Sequence, residues 1–236
     1  SSPTLHLWAV DTGVLLKSWT CPQRIAAMAY SAESRTLALA TGSQVRLLSE
    51  SLEPKGQGKQ VPVSLRSVAF GANGTLLFAG AESGACYLIR LTDTTPFRSW
   101  KGHHGAVTDG AFDASGARLA TVALDSGALR VWDVRSGRLE LENRGDTGRY
   151  CVRWSPDGSR LFTGSKYPAI TVLDATDGRS LLSLRGHRGF VSGLALSRDG
   201  AILASSSGDN TVRLWHTHAA DVRGERMRRA LASSER

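Results

Sequence analysis

A short segment of alternating apolar residues ending in Trp, Leu or Ile occurs six times along this 236-residue chain, and no other feature restricts the possible folds as much. It reads Leu5-His6-Leu7-Trp8, Val45-Arg46-Leu47-Leu48, Tyr87-Leu88-Ile89, Leu129-Arg130-Val131-Trp132, Ile170-Thr171-Val172-Leu173 and Val212-Arg213-Leu214-Trp215. From residue 8 to 48, 89, 132, 173 and 215 the intervals are 40, 41, 43, 41 and 42. A period this regular belongs to arrays in which each unit is one supersecondary motif, burying its apolar face only against its neighbours.

Each unit reads as short strands separated by turns. Residues 106–112, 118–122, 129–132 and 138–142 alternate as four strands, with Asp113-Ala114-Ser115-Gly116 and Asp125-Ser126-Gly127 as turns between them. The first turn recurs as Ser31-Ala32-Glu33-Ser34, Gly71-Ala72-Asn73-Gly74, Ser155-Pro156-Asp157-Gly158 and Ser197-Arg198-Asp199-Gly200. Asp and Asn suit these positions because their side chains bond the nearby backbone, and Gly accepts a left-handed conformation without steric cost. No stretch within the repeats carries a helical period that competes with this reading.

Gly186-His187, Ser197-Arg198-Asp199-Gly200, Leu203-Ala204-Ser205, Asp209 and Thr211-Val212-Arg213-Leu214-Trp215 closely resemble the WD-repeat, or beta-transducin, pattern. So do Gly102-His103, Leu119-Ala120-Thr121, Asp125 and Leu129-Arg130-Val131-Trp132-Asp133. The resemblance runs from about residue 5 to 216. Leu48-Ser49, Ile89-Arg90 and Leu173-Asp174 replace the Trp-Asp pair in other repeats, and those units lack the preceding Gly-His. The fold expected is all-β, a β-propeller of four-stranded antiparallel blades.

The resemblance implies a buried hydrogen-bond chain of His, Ser or Thr, Asp and Trp in two repeats. These are His103, Thr121, Asp125 and Trp132, and His187, Ser205, Asp209 and Trp215. A buried imidazole, hydroxyl, carboxylate and indole each need partners, and a closed network supplies them. Ser/His/Asp catalysis is rejected because it needs a single activated nucleophile, whereas these residues recur at matching offsets. Gly56-Gln57-Gly58-Lys59 is no phosphate loop, since Glu53 stands where its first Gly belongs and Gln60 where Ser or Thr should follow. No Gly-x-Ser-x-Gly elbow, His-Glu-x-x-His or Cys-x-x-Cys motif is present. His216 and His218 lack a supporting Cys or carboxylate cluster and read as a solvated strand end. No catalytic residue, metal or cofactor is expected.

Composition adds bounds. With 41% hydrophobic residues the chain can fill a core, and three cysteines cannot staple a scaffold of this size. No apolar run reaches bilayer length, and buried thiols suit a reducing, cytoplasmic setting. The net charge of +8, from 29 basic and 21 acidic residues, raises the alternative of nucleic acid or phosphorylated partners. That alternative is not favoured: the basic residues alternate along strands and turns, without an interleaved aromatic platform.

Counting strands divides the chain into a propeller over residues 1–218 and an Arg-rich tail over 219–236. Four blades are complete between residues 25 and 184, with fourth strands expected at 59–63, 97–100, 138–142 and 180–184. A third and fourth strand precede them (5–8 and 14–19), and three strands follow. Closing residues 14–19 onto 211–215 would give five blades and leave 5–8 surplus. The preferred expectation is a partial ring with an incomplete first blade, its remaining blades upstream or on another chain. The chain opens Ser1-Ser2-Pro3, without a methionine or an apolar leader, and reads as a processed chain or a piece of a longer one. The implied function is a non-catalytic platform for proteins or peptides, one module of a larger signalling or regulatory protein. Candidate partner-binding residues on one rim are Lys101, His104, Arg144, Asp146, Lys166, Tyr167, Arg185, Arg188 and Phe190, since Arg and aromatic side chains dominate binding hot spots.

Overall fold

A computed structural model describes residues 2–71, 73–124 and 127–216, which hold strands and turns and no helix. The proposed tail, His218 and Asp125 lie outside the described residues. The first sheet pairs β1 (Thr4–Trp8) with β2 (Leu15–Thr20). Four four-stranded meanders follow. The first is β3 (Ile25–Ser31), β4 (Thr36–Thr41), β5 (Gln44–Ser49) and β6 (Lys59–Gln60); the second is β7 (Leu65–Phe70), β8 (Leu76–Ala81), β9 (Ala85–Arg90) and β10 (Arg98–Lys101). The third runs through β11 (Val107–Phe112), β12 (Arg118–Ala123), β13 (Leu129–Asp133) and β14 (Leu139–Asn143). The fourth comprises β15 (Arg149–Trp154), β16 (Arg160–Ser165), β17 (Ala169–Asp174) and β18 (Ser180–Arg185). A three-stranded sheet of β19 (Val191–Leu196), β20 (Ile202–Ser207) and β21 (Val212–His216) ends the described chain. All pairings within these sheets are antiparallel.

The sheets are the blades of a propeller. Their first strands β3, β7, β11, β15 and β19 pack side by side as an inner arc, and five separate apolar clusters fill the five spaces between six successive sheets. Between the first and second sheets, for example, Leu5, Leu7 and Trp19 pack on Leu39, Leu48 and Leu52. Between the last two, Phe162, Ile170 and Val172 meet Val191, Leu194 and Leu203. This is how a period-2 apolar pattern becomes a stacked array: a blade buries both faces only when it has a neighbour on each side.

Among the described residues the array does not close on itself. β2 pairs with β1 rather than with β21, so the five-blade closure of residues 14–19 onto 211–215 does not form. The outer faces of the end sheets carry exposed apolar residues, Trp8 and Leu16 at one end and Val212 and Leu214 at the other. One expected strand is also shorter than its pattern: β6 stops at Gln60, because Pro62 has no N–H to continue the ladder and the Val61 amide bonds the Ser43 carbonyl outside it.

Turn chemistry holds the blade corners. In the β15–β16 turn the Asp157 carboxylate accepts from the Ser159 amide at 3.1 Å and the Ser159 hydroxyl at 2.7 Å, and Gly158 adopts φ +69°. Gly84, in the β8–β9 turn, has φ +87°, and a Cβ there would stand 2.1 Å from the His103 carbonyl oxygen. That oxygen belongs to the β10–β11 loop, whose Gly102 and His103 amides both donate to the Gly84 carbonyl, so the two turns meet backbone to backbone. Meander topology puts every β8–β9-type turn and every blade-to-blade loop on one face, here called the upper face. The first and third turns of each blade lie on the lower face.

Candidate functional site

Two groups of polar residues occupy the upper half of the blades. One is internal. In the last blade the His187 Nε2 lies 2.8 Å from the Ser205 hydroxyl, and the Trp215 indole N–H donates to that same oxygen at 2.8 Å. His187 Nδ1 stands 3.0 Å from an Asp209 carboxylate oxygen, which also accepts the Arg188 amide at 2.8 Å. The other Asp209 oxygen accepts the Thr211 hydroxyl at 2.6 Å and the Thr211 amide at 3.0 Å. These bonds, the Thr211 hydroxyl foremost, hold the Asp209 carboxyl well below the usual carboxylate range. A neutral imidazole with its proton on Nδ1 satisfies every partner: it donates to Asp209 and accepts the Ser205 hydroxyl.

The order Ser205–His187–Asp209 is that of a hydrolase triad, and its surroundings decide against catalysis. Ser205 is buried, its oxygen is capped by the indole donor, and its own proton is used toward His187. A nucleophile needs an open approach and donors aimed at an oxyanion. In the third four-stranded blade the same pattern recurs: His103 Nε2 and the Trp132 indole N–H both lie 2.8 Å from the Thr121 hydroxyl. Trp100 stacks edge-on against Trp132 at 5.5 Å.

The fourth four-stranded blade solves the same space differently. Its Gly145 stands where His103 and His187 stand, four residues before the inner strand's first apolar site. That site is Ile25, Leu65, Val107 and Val191 in the other blades, but Arg149 here. The Arg149 side chain is buried and fills the room left by the missing imidazole: a Cβ on Gly145 would meet its Nη2 at 3.1 Å. Nη2 donates to the Asn143 side-chain oxygen, whereas Nη1 has no hydrogen-bond partner among the described residues. Burial pulls the guanidinium down to about 10. Cys86 and Cys151, also buried between blades, have thiols pushed up to about 12 by the same desolvation.

The second group is exposed. Lys101, His104, Arg144, Asp146, Lys166, Tyr167, Arg185, Arg188 and Phe190 all lie in or beside blade-to-blade loops or β16–β17-type turns, so the topology places them on the upper face. They are spread over three blade-to-blade loops and the β16–β17 turn. Lys101 bonds the Ser83 carbonyl, Arg144 pairs with Glu142 at 3.2 Å, and Phe190 stacks on Tyr150 with centroids 5.4 Å apart.

The concavity on this face lies instead at the axis. A cavity of about 240 Å³ is lined by Arg24, Arg66, Glu82, Thr108, Tyr150 and Ser192, with Ala26 beside them. Sequence reasoning missed it, although a signal was present. Ala26, Arg66, Thr108, Tyr150 and Ser192 occupy the same offset in five successive inner strands, at intervals of 40, 42, 42 and 42. The offset was legible; that it points into the axis is a property of the assembled arc. Among the described residues no three or more His, Cys, Asp or Glu side chains are grouped to hold a metal.

Comparison with known proteins agrees with this architecture. The profile described as WD domain, G-beta repeat matches residues 94–133, 141–167 and 178–216. WD repeat-containing protein 18 of Bos taurus is 34% identical over 134 residues, covering 51% of this chain and 31% of that protein. Transducin beta-like protein 3 of Rattus norvegicus is 36% identical over 125 residues, covering 51% of this chain and 16% of its own length. The matched segments thus span under a third of either relative. A chain from the crystal structure of the mitotic checkpoint complex superposes with a TM-score of 0.82 at 16% identity, over 91% of this chain and 68% of that one. At that identity the likeness speaks for the fold.

Proposed function

Because this chain is a WD-repeat β-propeller, we propose that it serves as a non-catalytic platform for protein partners, one module of a larger signalling or regulatory protein in the cytoplasm. The observation that carries the reading is the division of polar residues on the upper half of the blades. The reactive types, His187, Ser205, Asp209, His103 and Thr121, are used inward to hold blades together. The exposed loops present single Arg, Lys and aromatic side chains over a broad rigid surface. That combination suits recognition of another protein, in which a few such residues carry most of the energy. Three free, buried cysteines accord with a reducing compartment.

The test is a paired-face comparison. Tyr167→Ala, Arg188→Ala and Phe190→Ala together alter the upper face, and Arg35→Ala with Arg160→Ala alter the lower. The upper-face variant is expected to lose the proteins recovered by cross-linking with wild type, while the lower-face variant retains them. Equal retention by both would refute a platform on the upper face.

A further inference from the structure

Charge is divided unevenly between the two faces. Asp113, Asp133, Asp157, Asp174 and Asp199 all sit in lower-face turns, where their carboxylates accept backbone or hydroxyl donors. On the upper face Glu142 is taken by Arg130 and Arg144, and Asp209 by His187, Thr211 and the Arg188 amide. Turn chemistry therefore places these five acids below; above, where Glu82 and Asp146 also lie, several basic side chains make no ion pair among the described residues. Arg24 and Arg66 are two of them. Both are exposed at the axial cavity, and their guanidinium groups make no hydrogen bond or ion pair within the described residues. About half of the other arginines on the blades are pinned, as Arg98 is by two carbonyls and Arg118 by Asp113 and the Gly158 carbonyl.

We propose that the axial mouth reads one acidic side chain, an Asp or Glu carboxylate, on an extended segment of a protein partner. This deepens the platform reading and rests on it. Two free guanidinium forks at one concavity match the planar, two-oxygen geometry of a carboxylate. Tyr150 offers a phenol at the same cavity, with its ring held against Phe190. Glu82, in the same lining, decides between kinds of polyanion. A continuous phosphate backbone would have to pass this carboxylate, whereas a single acidic side chain needs only the arginines. Its own charge also favours a basic residue beside the acidic one in the ligand. A cavity of about 240 Å³ holds one side chain rather than a nucleotide chain.

The experiment is selection of random peptides displayed on phage against wild type, against R24Q/R66Q, and against R24E/R66E. Both positions are exposed, and thermal midpoints check that each variant keeps the fold. Wild type is expected to enrich peptides with Asp or Glu at one fixed position. Loss of both arginines is expected to weaken the best synthetic peptide by roughly tenfold or more per arginine. The charge-reversed variant is expected to enrich Lys or Arg at that position instead, a gain that misfolding cannot imitate. Peptides enriched without acidic bias, or bound equally by R24Q/R66Q, would overturn this inference and leave the platform standing. No enriched peptide at all would overturn both. A mixed-sequence single-stranded DNA that displaces the peptide through the two arginines would assign the mouth to nucleic acid instead.

Discussion

Arg149 is expected to be a residue whose removal stabilises the protein. It occupies an inner-strand site that is Ile25, Leu65, Val107 and Val191 in the other blades, and it is only 6% exposed. Its guanidinium falls from 12.5 to about 10, with desolvation as the cause. At about 1.36 kcal/mol per pH unit, that fall amounts to about 3 kcal/mol spent on keeping the ion buried at neutral pH. Replacing it with leucine removes this cost and restores an apolar contact between blades, in line with the behaviour of buried ions exchanged for hydrophobic residues. Against the gain stands Asn143, whose side-chain oxygen loses the Arg149 donor, a loss of about 1–2 kcal/mol, although its amide still donates to the Gly178 carbonyl at 2.9 Å. The balance for Arg149→Leu is a gain of about 1–2 kcal/mol, or a thermal midpoint higher by roughly 2–8 °C for a chain this long. Urea unfolding followed by tryptophan fluorescence, with matched thermal scans, measures it. Arg149→Gln, which keeps a donor for Asn143, should fall near or above wild type. If both variants lower the urea midpoint, the guanidinium supports the blade in place of the missing imidazole, and the desolvation argument is wrong.

Ser205→Ala removes the oxygen shared by His187 and Trp215, leaving an imidazole nitrogen and an indole N–H unpaired. Destabilisation of about 2–4 kcal/mol in urea is expected, and a change below about 0.5 kcal/mol would show the network to be dispensable. Gly84→Ala forces a side chain onto φ +87° and drives its Cβ to 2.1 Å from the His103 carbonyl oxygen, so a loss of about 3 kcal/mol or more is expected by the same measurement. The Asp157 carboxyl is held at about 2, first by the Ser155 hydroxyl and then by the Ser159 amide and hydroxyl. Its stabilising contribution is complete above the unfolded value near 3.8 and is lost as pH falls through about 2. The midpoint difference between wild type and Asp157→Asn should therefore be constant near neutrality and shrink below about pH 4, and a difference that persists into strong acid would contradict the assignment.

Much of the blade was legible because strands and turns are local. The 106–112, 118–122, 129–132 and 138–142 strands correspond to β11–β14 within one or two residues at each end. Apolar alternation and Asp or Gly turns act over a few residues, so their signal survives in one dimension. The length of β6 departed from its pattern for the equally local reason of Pro62. The His, Ser, Asp and Trp network could be assigned to particular residues because it lies within single repeats, at fixed offsets. Arg149 was written in the sequence as an odd residue in an aliphatic column, but its missing partner depends on Gly145, Asn143 and the packing of a neighbouring blade.

What the sequence by itself determined is the repeat, the strand order inside each blade and the pairing of polar residues that close upon themselves. All of these are set by contacts within about forty residues. What only the tertiary structure decided is how the blades stand toward one another. Among the described residues it left the two end sheets unjoined, and it turned Arg24, Arg66, Glu82 and Tyr150 toward a common axis. Those residues lie up to 126 positions apart (24 to 150), and no local pattern couples them. Their meeting follows from the angle at which each blade packs on the next, a quantity fixed by the shapes of five apolar clusters rather than by the spacing of any motif.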